Sequence, residues 1–131
     1  MIASPAPSIA PVRVLIADDH RLFGEALEAV LTVDERIEVV GHAYDGQQAI
    51  ELAQELGPDV TLMDISMPVL DGFEATREIR RSIPEARVVM LTGSNSRSDV
   101  NRARKAGAAA YVTKDRIAGE LIEAILGLAP R

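Results

Sequence analysis

The chain contains no cysteine and no tryptophan, and only two tyrosines and two phenylalanines among its 131 residues. Without thiols, neither a disulfide framework nor a thiolate metal site is available. The two histidines, His20 and His42, stand apart from each other, which argues against metal ligation by imidazole. Positive charge is also in short supply. Fourteen Lys and Arg against twenty Asp and Glu leave a net charge of −6, a poor match for gripping a nucleic-acid backbone directly. No apolar run approaches the roughly 20 residues that cross a bilayer. The opening stretch, residues 1–11, lacks the basic start of a secretory signal, and its prolines interrupt any helix. It reads as a disordered tail before a domain spanning 12–131, with no membrane partner and a cytoplasmic location expected.

What the chain does have is aliphatic: 47% of it is hydrophobic and only 3% aromatic. That points to a core of Val, Ile, Leu and Ala, as in a parallel sheet covered by helices. The size suits one domain with a proper core. Short apolar runs at 13–17, 37–43, 60–64, 86–91 and 110–113 read as five strands. Between and after them, helical patterns run from about 21 to 33, from 46 to 56, from 72 to 83, from 96 to 106 and from about 117 onward. In the first helix Phe23, Leu27, Val30 and Leu31 form one apolar stripe. Asp45 to Gln48 and Asp71 to Glu74 resemble capping boxes, and Gly57-Pro58 and Gly107 are stop signals. The fourth helix is polar and weakly anchored. Strict strand and helix alternation implies a parallel sheet with right-handed crossovers, although periodicity alone leaves the strand order open.

Ligands of open α/β sheets bind beyond the carboxyl ends of the strands. Those ends carry Asp18-Asp19, Asp64, Thr92 and Lys114. Gathered carboxylates repel one another and raise each other's pKa unless a cation sits among them. A hard divalent ion such as magnesium suits such an oxygen-rich rim better than zinc does. The ion would screen an approaching phosphoryl group, so that Asp64 could act as nucleophile and form an aspartyl phosphate. Lys114 and the Thr92 hydroxyl would then steady the phosphoryl oxygens.

The ordered set Asp18-Asp19, Met63-Asp64-Ile65-Ser66-Met67-Pro68, Asp71-Gly72, Thr92, Tyr111 and Lys114 resembles the receiver domain of bacterial two-component response regulators. The resemblance covers nearly the whole chain from Val12. It implies a flavodoxin-like, doubly wound five-stranded sheet of order 2-1-3-4-5 with five helices. It also implies magnesium bound by Asp18, Asp19, Asp64 and the Ser66 backbone carbonyl, and phosphoryl acceptance on Asp64 from a sensor histidine kinase. Thr92 and Tyr111 would form the switch with Lys114, and Ser66 and Ser94 would tune phosphoryl lifetime. Such a protein is a phosphoacceptor switch with at most self-phosphorylation and self-dephosphorylation chemistry, not an enzyme.

Ala17-Asp18-Asp19-His20 with Arg21-Leu22-Phe23, and the approach from Gly107 to Lys114-Asp115, resemble the NarL/LuxR type. Those regulators usually carry a helix-turn-helix output domain. This sequence stops at Arg131, so an excised receiver or a single-domain regulator is expected, with DNA contacted only through a domain outside the chain. A homodimer on activation is a further expectation. Many receivers place proline after the lysine, where this chain has Asp115. The rivals are weaker. Phosphatases resembling the haloacid dehalogenase group need an aspartate at the position of Ser66, and a flavodoxin needs a Ser/Thr/Gly-rich cradle after the first strand instead of acids. A phosphate-independent interaction module remains the alternative. Singly, Asp18-Asp19 as helix caps, Lys114 as a surface lysine, and Thr92 and Tyr111 as ordinary strand residues are all reasonable. Together, at strand ends, they point to the functional reading.

Overall fold

The computed structural model describes residues 10–93 and 96–130. Ser94 and residues 1–9 of the expected tail lie outside the described residues. Five strands, β1 (Val12–Ala17), β2 (Ile37–Ala43), β3 (Val60–Asp64), β4 (Val88–Thr92) and β5 (Ala110–Thr113), form one sheet of order β2-β1-β3-β4-β5. Every pairing is parallel, as the alternation and the family resemblance together imply.

The sheet divides the core in two because neighbouring strand residues face opposite sides. Leu15, Ala17, Met63 and Met90 join Ala49, Ala53, Phe73, Ile79 and Ala103 on one side. Val14, Ile16, Leu62, Val89 and Val112 join Leu27, Leu31, Leu121 and Ile125 on the other. Helices α2 (Gly46–Leu56), α3 (Gly72–Ser82) and α4 (Arg97–Ala106) cover the first side, and α1 (Arg21–Thr32) and α5 (Ile122–Leu128) the second. Burial on both faces explains why the three central strands read as continuous apolar runs and not as alternating ones.

Local chemistry sets the helix ends. Asp45 accepts the Gln48 amide at 2.7 Å, Asp71 that of Glu74 at 2.9 Å, and Ser96 that of Asp99 at 3.1 Å. The second half of each expected capping box is altered: Gln48 accepts from the Tyr44 amide at 2.9 Å, and the Glu74 carboxylate pairs with Arg77. Gly57 (φ 56°) and Gly107 (φ 100°) end α2 and α4 in the left-handed region, where a side chain would be strained.

Two expectations need correction. Val30 is 43% exposed, because the buried stripe of α1 is centred on Gly24, Leu27 and Leu31, leaving Val30 on its rim. The last helix is not uniform from 117. A 3₁₀ turn (Lys114–Arg116) and a π turn (Ile117–Leu121) precede α5. A π turn takes up an extra residue, and Gly119 within it has low helix propensity. Leu121 and Ile125 still reach the core. Among the described residues every peptide bond is trans, including the one that joins Lys114 to Asp115.

After β3 the chain makes a tight reversal at Val69, where φ is 71° and the Leu70 amide donates to the Pro68 carbonyl at 2.8 Å. This is a γ-turn of the rare, strained hand, occupied by a β-branched residue that is 75% exposed. Replacing Val69 with glycine relieves the strain, and the extra freedom of the unfolded chain offsets part of the gain. The net result is a stabilisation of about 0.5 kcal/mol, to be read from denaturant midpoints. A variant that is less stable than the wild type would count against strain at this turn.

Candidate functional site

Parallel register brings the ends of four strands to one rim. Ala17 pairs with Met63, Asp64 with Leu91 and Thr92 with Thr113. The residues just beyond β1 and β5, and those ending β3 and β4, therefore converge. Asp18 and Asp64 are almost fully buried, at 2% and 5% exposure. The Lys114 ammonium stands between them, with Nζ 3.3 Å from Asp64 Oδ1 and 3.5 Å from Asp18 Oδ2. On a third side it lies 4.3 Å from the centroid of the Phe23 ring.

Asp18 is not a helix cap. The residue capping α1 is His20, whose side chain makes no capping bond. Asp18 instead accepts the His20 amide at 2.7 Å through Oδ1, while its own amide donates to Ala43 at 3.0 Å. His20 Nδ1 lies 3.2 Å from Oδ1 of both Asp18 and Asp19. Even so, the buried Asp19 Oδ1 makes no hydrogen bond. Ligand atoms of Asp18, Asp19, His20 and Asp64 all fall within 4.8 Å of one another.

Two carboxylates thus meet one ammonium, with the Asp19 carboxylate in the same cluster. Burial pushes the Asp64 carboxyl above its ordinary value, the Asp18 charge adds to that rise, and Lys114 opposes it. The donor set fits a hard divalent cation: oxygen ligands, excess negative charge and a buried carboxylate oxygen with no hydrogen-bond donor of its own.

The other expected site residues lie nearby. Thr92 ends β4, buried, and Tyr111 is half-buried in β5 opposite Met90. An open cleft of about 870 Å³ runs from Gly93 and Lys114 past Tyr111 to Val100. Ser66 is exposed, two residues beyond Asp64. His42 lies in the edge strand, as expected, and pairs with Glu28 at 2.5 Å.

Sequence reasoning assigned His20 no part in the rim, and gave Phe23 to the core stripe and to the NarL/LuxR-like Arg21-Leu22-Phe23 run, not to the rim. For His20 the signal was its place directly after two acids. For Phe23 it was helical spacing: it stands about one turn beyond the acid pair, close enough to face back toward the rim.

Residues 14–126 match the response regulator receiver domain. The chain is 40% identical over 114 residues to the transcriptional regulatory protein DegU of Brevibacillus brevis, covering 87% of this chain and 48% of that protein. Among solved structures it is similar to the signal receiver domain of NarL from Mycobacterium tuberculosis, with TM-score 0.86, 34% identity, and 91% and 96% of the two chains covered. A LuxR-family two-component response regulator from Aurantimonas gives TM-score 0.87 at 33% identity, covering 91% and 85%. The chain spans about half the length of the curated relatives it matches.

Proposed function

Because the chain belongs to the receiver family of two-component response regulators, with relatives of the NarL/LuxR type, we propose that it is a magnesium-dependent switch in which Asp64 accepts a phosphoryl group from a sensor histidine kinase. The observation that carries this reading is the Lys114 ammonium held 3.3 Å from Asp64 and 3.5 Å from Asp18, beside an acidic cluster spanning 4.8 Å. Asp18, Asp19, Asp64 and the Ser66 carbonyl would hold the cation, which neutralises charge on the transferring group. An Asp64 carboxylate oxygen attacks phosphorus as the bond to the kinase imidazole breaks, and that imidazole leaves. No general base is needed, since the attacking group is an anion. Lys114 then meets the phosphoryl oxygens.

Thr92, at the end of β4, turns toward the new group, and Tyr111 moves along the cleft beside Val100. This biases α4, which buries only Ala103 and Ala106, so that its contacts with its neighbours are easily shifted. Ser66 and Ser94 would adjust phosphoryl lifetime. On this reading the receiver unit would span 12–131 and act in the cytoplasm. Among the described residues no helix is long and apolar enough to cross a membrane. Control of transcription would run through a DNA-binding domain outside this chain, with dimerisation as one readout of activation.

Incubation with acetyl phosphate and magnesium is expected to add one phosphoryl group by intact mass, and Asp64→Asn should remove the addition. Equal modification of that variant would refute the assignment.

A further inference from the structure

Three contacts that the Lys114 ammonium makes among the described residues differ in kind. Two are carboxylates, Asp64 Oδ1 at 3.3 Å and Asp18 Oδ2 at 3.5 Å. The third is the face of an aromatic ring, Phe23, with its centroid 4.3 Å from Nζ. The face of a benzene ring carries the negative lobe of its quadrupole, so an ammonium above it is attracted. The same face also keeps water from that side of the cation. This matters for lysine, whose charge is strongly hydrated and sits on a flexible four-carbon stem. The Lys114 side chain is 28% exposed, so a route toward solvent is open to it.

The ring itself is fixed. Phe23 packs against the core cluster that includes Leu27, Leu31 and Leu121, and its backbone lies in α1. The two carboxylates have a different fate. On the phosphoryl-acceptor reading, on which this step rests, Asp64 becomes an acyl phosphate and Asp18 turns to the cation. Both existing partners of the ammonium therefore change at the moment it is needed, whereas the ring face has no other role to take up.

We infer that Phe23 is a positioning residue for the phosphoryl site: its ring face holds the Lys114 ammonium at the rim while both carboxylate partners are being replaced. A leucine at this position would fill much of the same core volume but offer no negative face, and a tyrosine would keep the face.

The test uses the full 131-residue chain and the variants Phe23→Leu and Phe23→Tyr. Without metal or phosphoryl analogue, the Lys114 ε-methylene protons should show an upfield ring-current shift in the wild type and in Phe23→Tyr, and lose it in Phe23→Leu. With saturating magnesium, the dissociation constant for beryllofluoride should rise roughly two- to fivefold in Phe23→Leu, the range of a partly exposed cation–π contact. Phe23→Tyr should restore it. If Phe23→Leu does not fold, Phe23→Met takes its place with the same expectations.

An unchanged dissociation constant in the aliphatic variant would overturn the inference and leave the Asp64 assignment standing. Equal weakening by tyrosine would do the same, by marking a packing role. A wild type that binds no beryllofluoride would overturn the phosphoryl reading and the role of Phe23 with it.

Discussion

Gly72→Ala is expected to destabilise the protein by about 2–3 kcal/mol and to weaken divalent-cation binding at the rim. A Cβ built on Gly72 lies 2.2 Å from the Asp64 carbonyl oxygen and 2.9 Å from the Ile65 Cα. Both neighbours are backbone, so no rotamer change can make room. Either the start of α3 moves away from β3 or the end of β3 moves with Asp64 on it. The Gly72 amide also donates to the Ile65 carbonyl at 2.7 Å, and Asp71 caps the same helix. Separation would break the first of these bonds and tilt the second. Against this stands the helix preference of alanine over glycine, worth up to about 1 kcal/mol, which the overlap exceeds.

The comparison that isolates the cause is Gly127→Ala in α5, where nothing lies within 4 Å of the added Cβ. There the propensity gain acts alone and the substitution should be neutral or stabilising. Chemical denaturation of both variants reads the two signs. A Gly72→Ala protein as stable as the wild type would mean that α3 does not approach Asp64 this closely.

That close approach also marks how far the sequence could be read. Asp71-Gly72 was legible as a helix start, because an aspartate three residues ahead of a glutamate is a capping pattern. The contact of Gly72 with the β3 carbonyl was not, because it depends on the angle at which α3 returns to the sheet. The five strands were legible from their aliphatic runs, and the register that aligns Asp18, Asp64, Thr92 and Lys114 followed once those strands were parallel. Strand order came from family resemblance, since hydrophobic period carries no information about neighbours.

The break between β5 and α5 was hidden for a related reason. Leu121, Ile122, Ile125 and Leu128 keep a helical period, so the pattern conceals a π turn that accommodates one residue more. Phe23 shows the converse problem. Its spacing fits the core stripe of α1, and the stripe does explain its packing, but periodicity assigns a residue to a face and not to the ammonium at the end of that face.

The electrostatic state of the rim leads to an inversion that can be measured. Without divalent cation, Asp64→Asn is expected to be more stable than the wild type at neutral pH. The Asp64 carboxyl is 5% exposed and is raised above its ordinary value of 3.8 by burial first and by the Asp18 charge second. Between 3.8 and that raised value the folded protein binds a proton that the unfolded chain does not. Stability therefore falls as pH rises through this window, and stays lowered above it. Asparagine removes the titration, so its advantage should grow as pH rises through that window and should shrink toward zero as pH falls to about 4. The lost ion pair with Lys114 works against the variant, yet the net rise of the Asp64 pKa means that burial and like charge outweigh it. Magnesium should then reverse the order. A cation bound only by the folded state stabilises it by about 2.7 kcal/mol at a hundred times its dissociation constant, and the asparagine variant, with one carboxylate fewer, would collect much less of that. Thermal melts of the two proteins at neutral pH, in chelator and in excess magnesium, should cross. Parallel curves, with the wild type the more stable under both conditions, would mean that the carboxylates at this rim are already balanced without an ion.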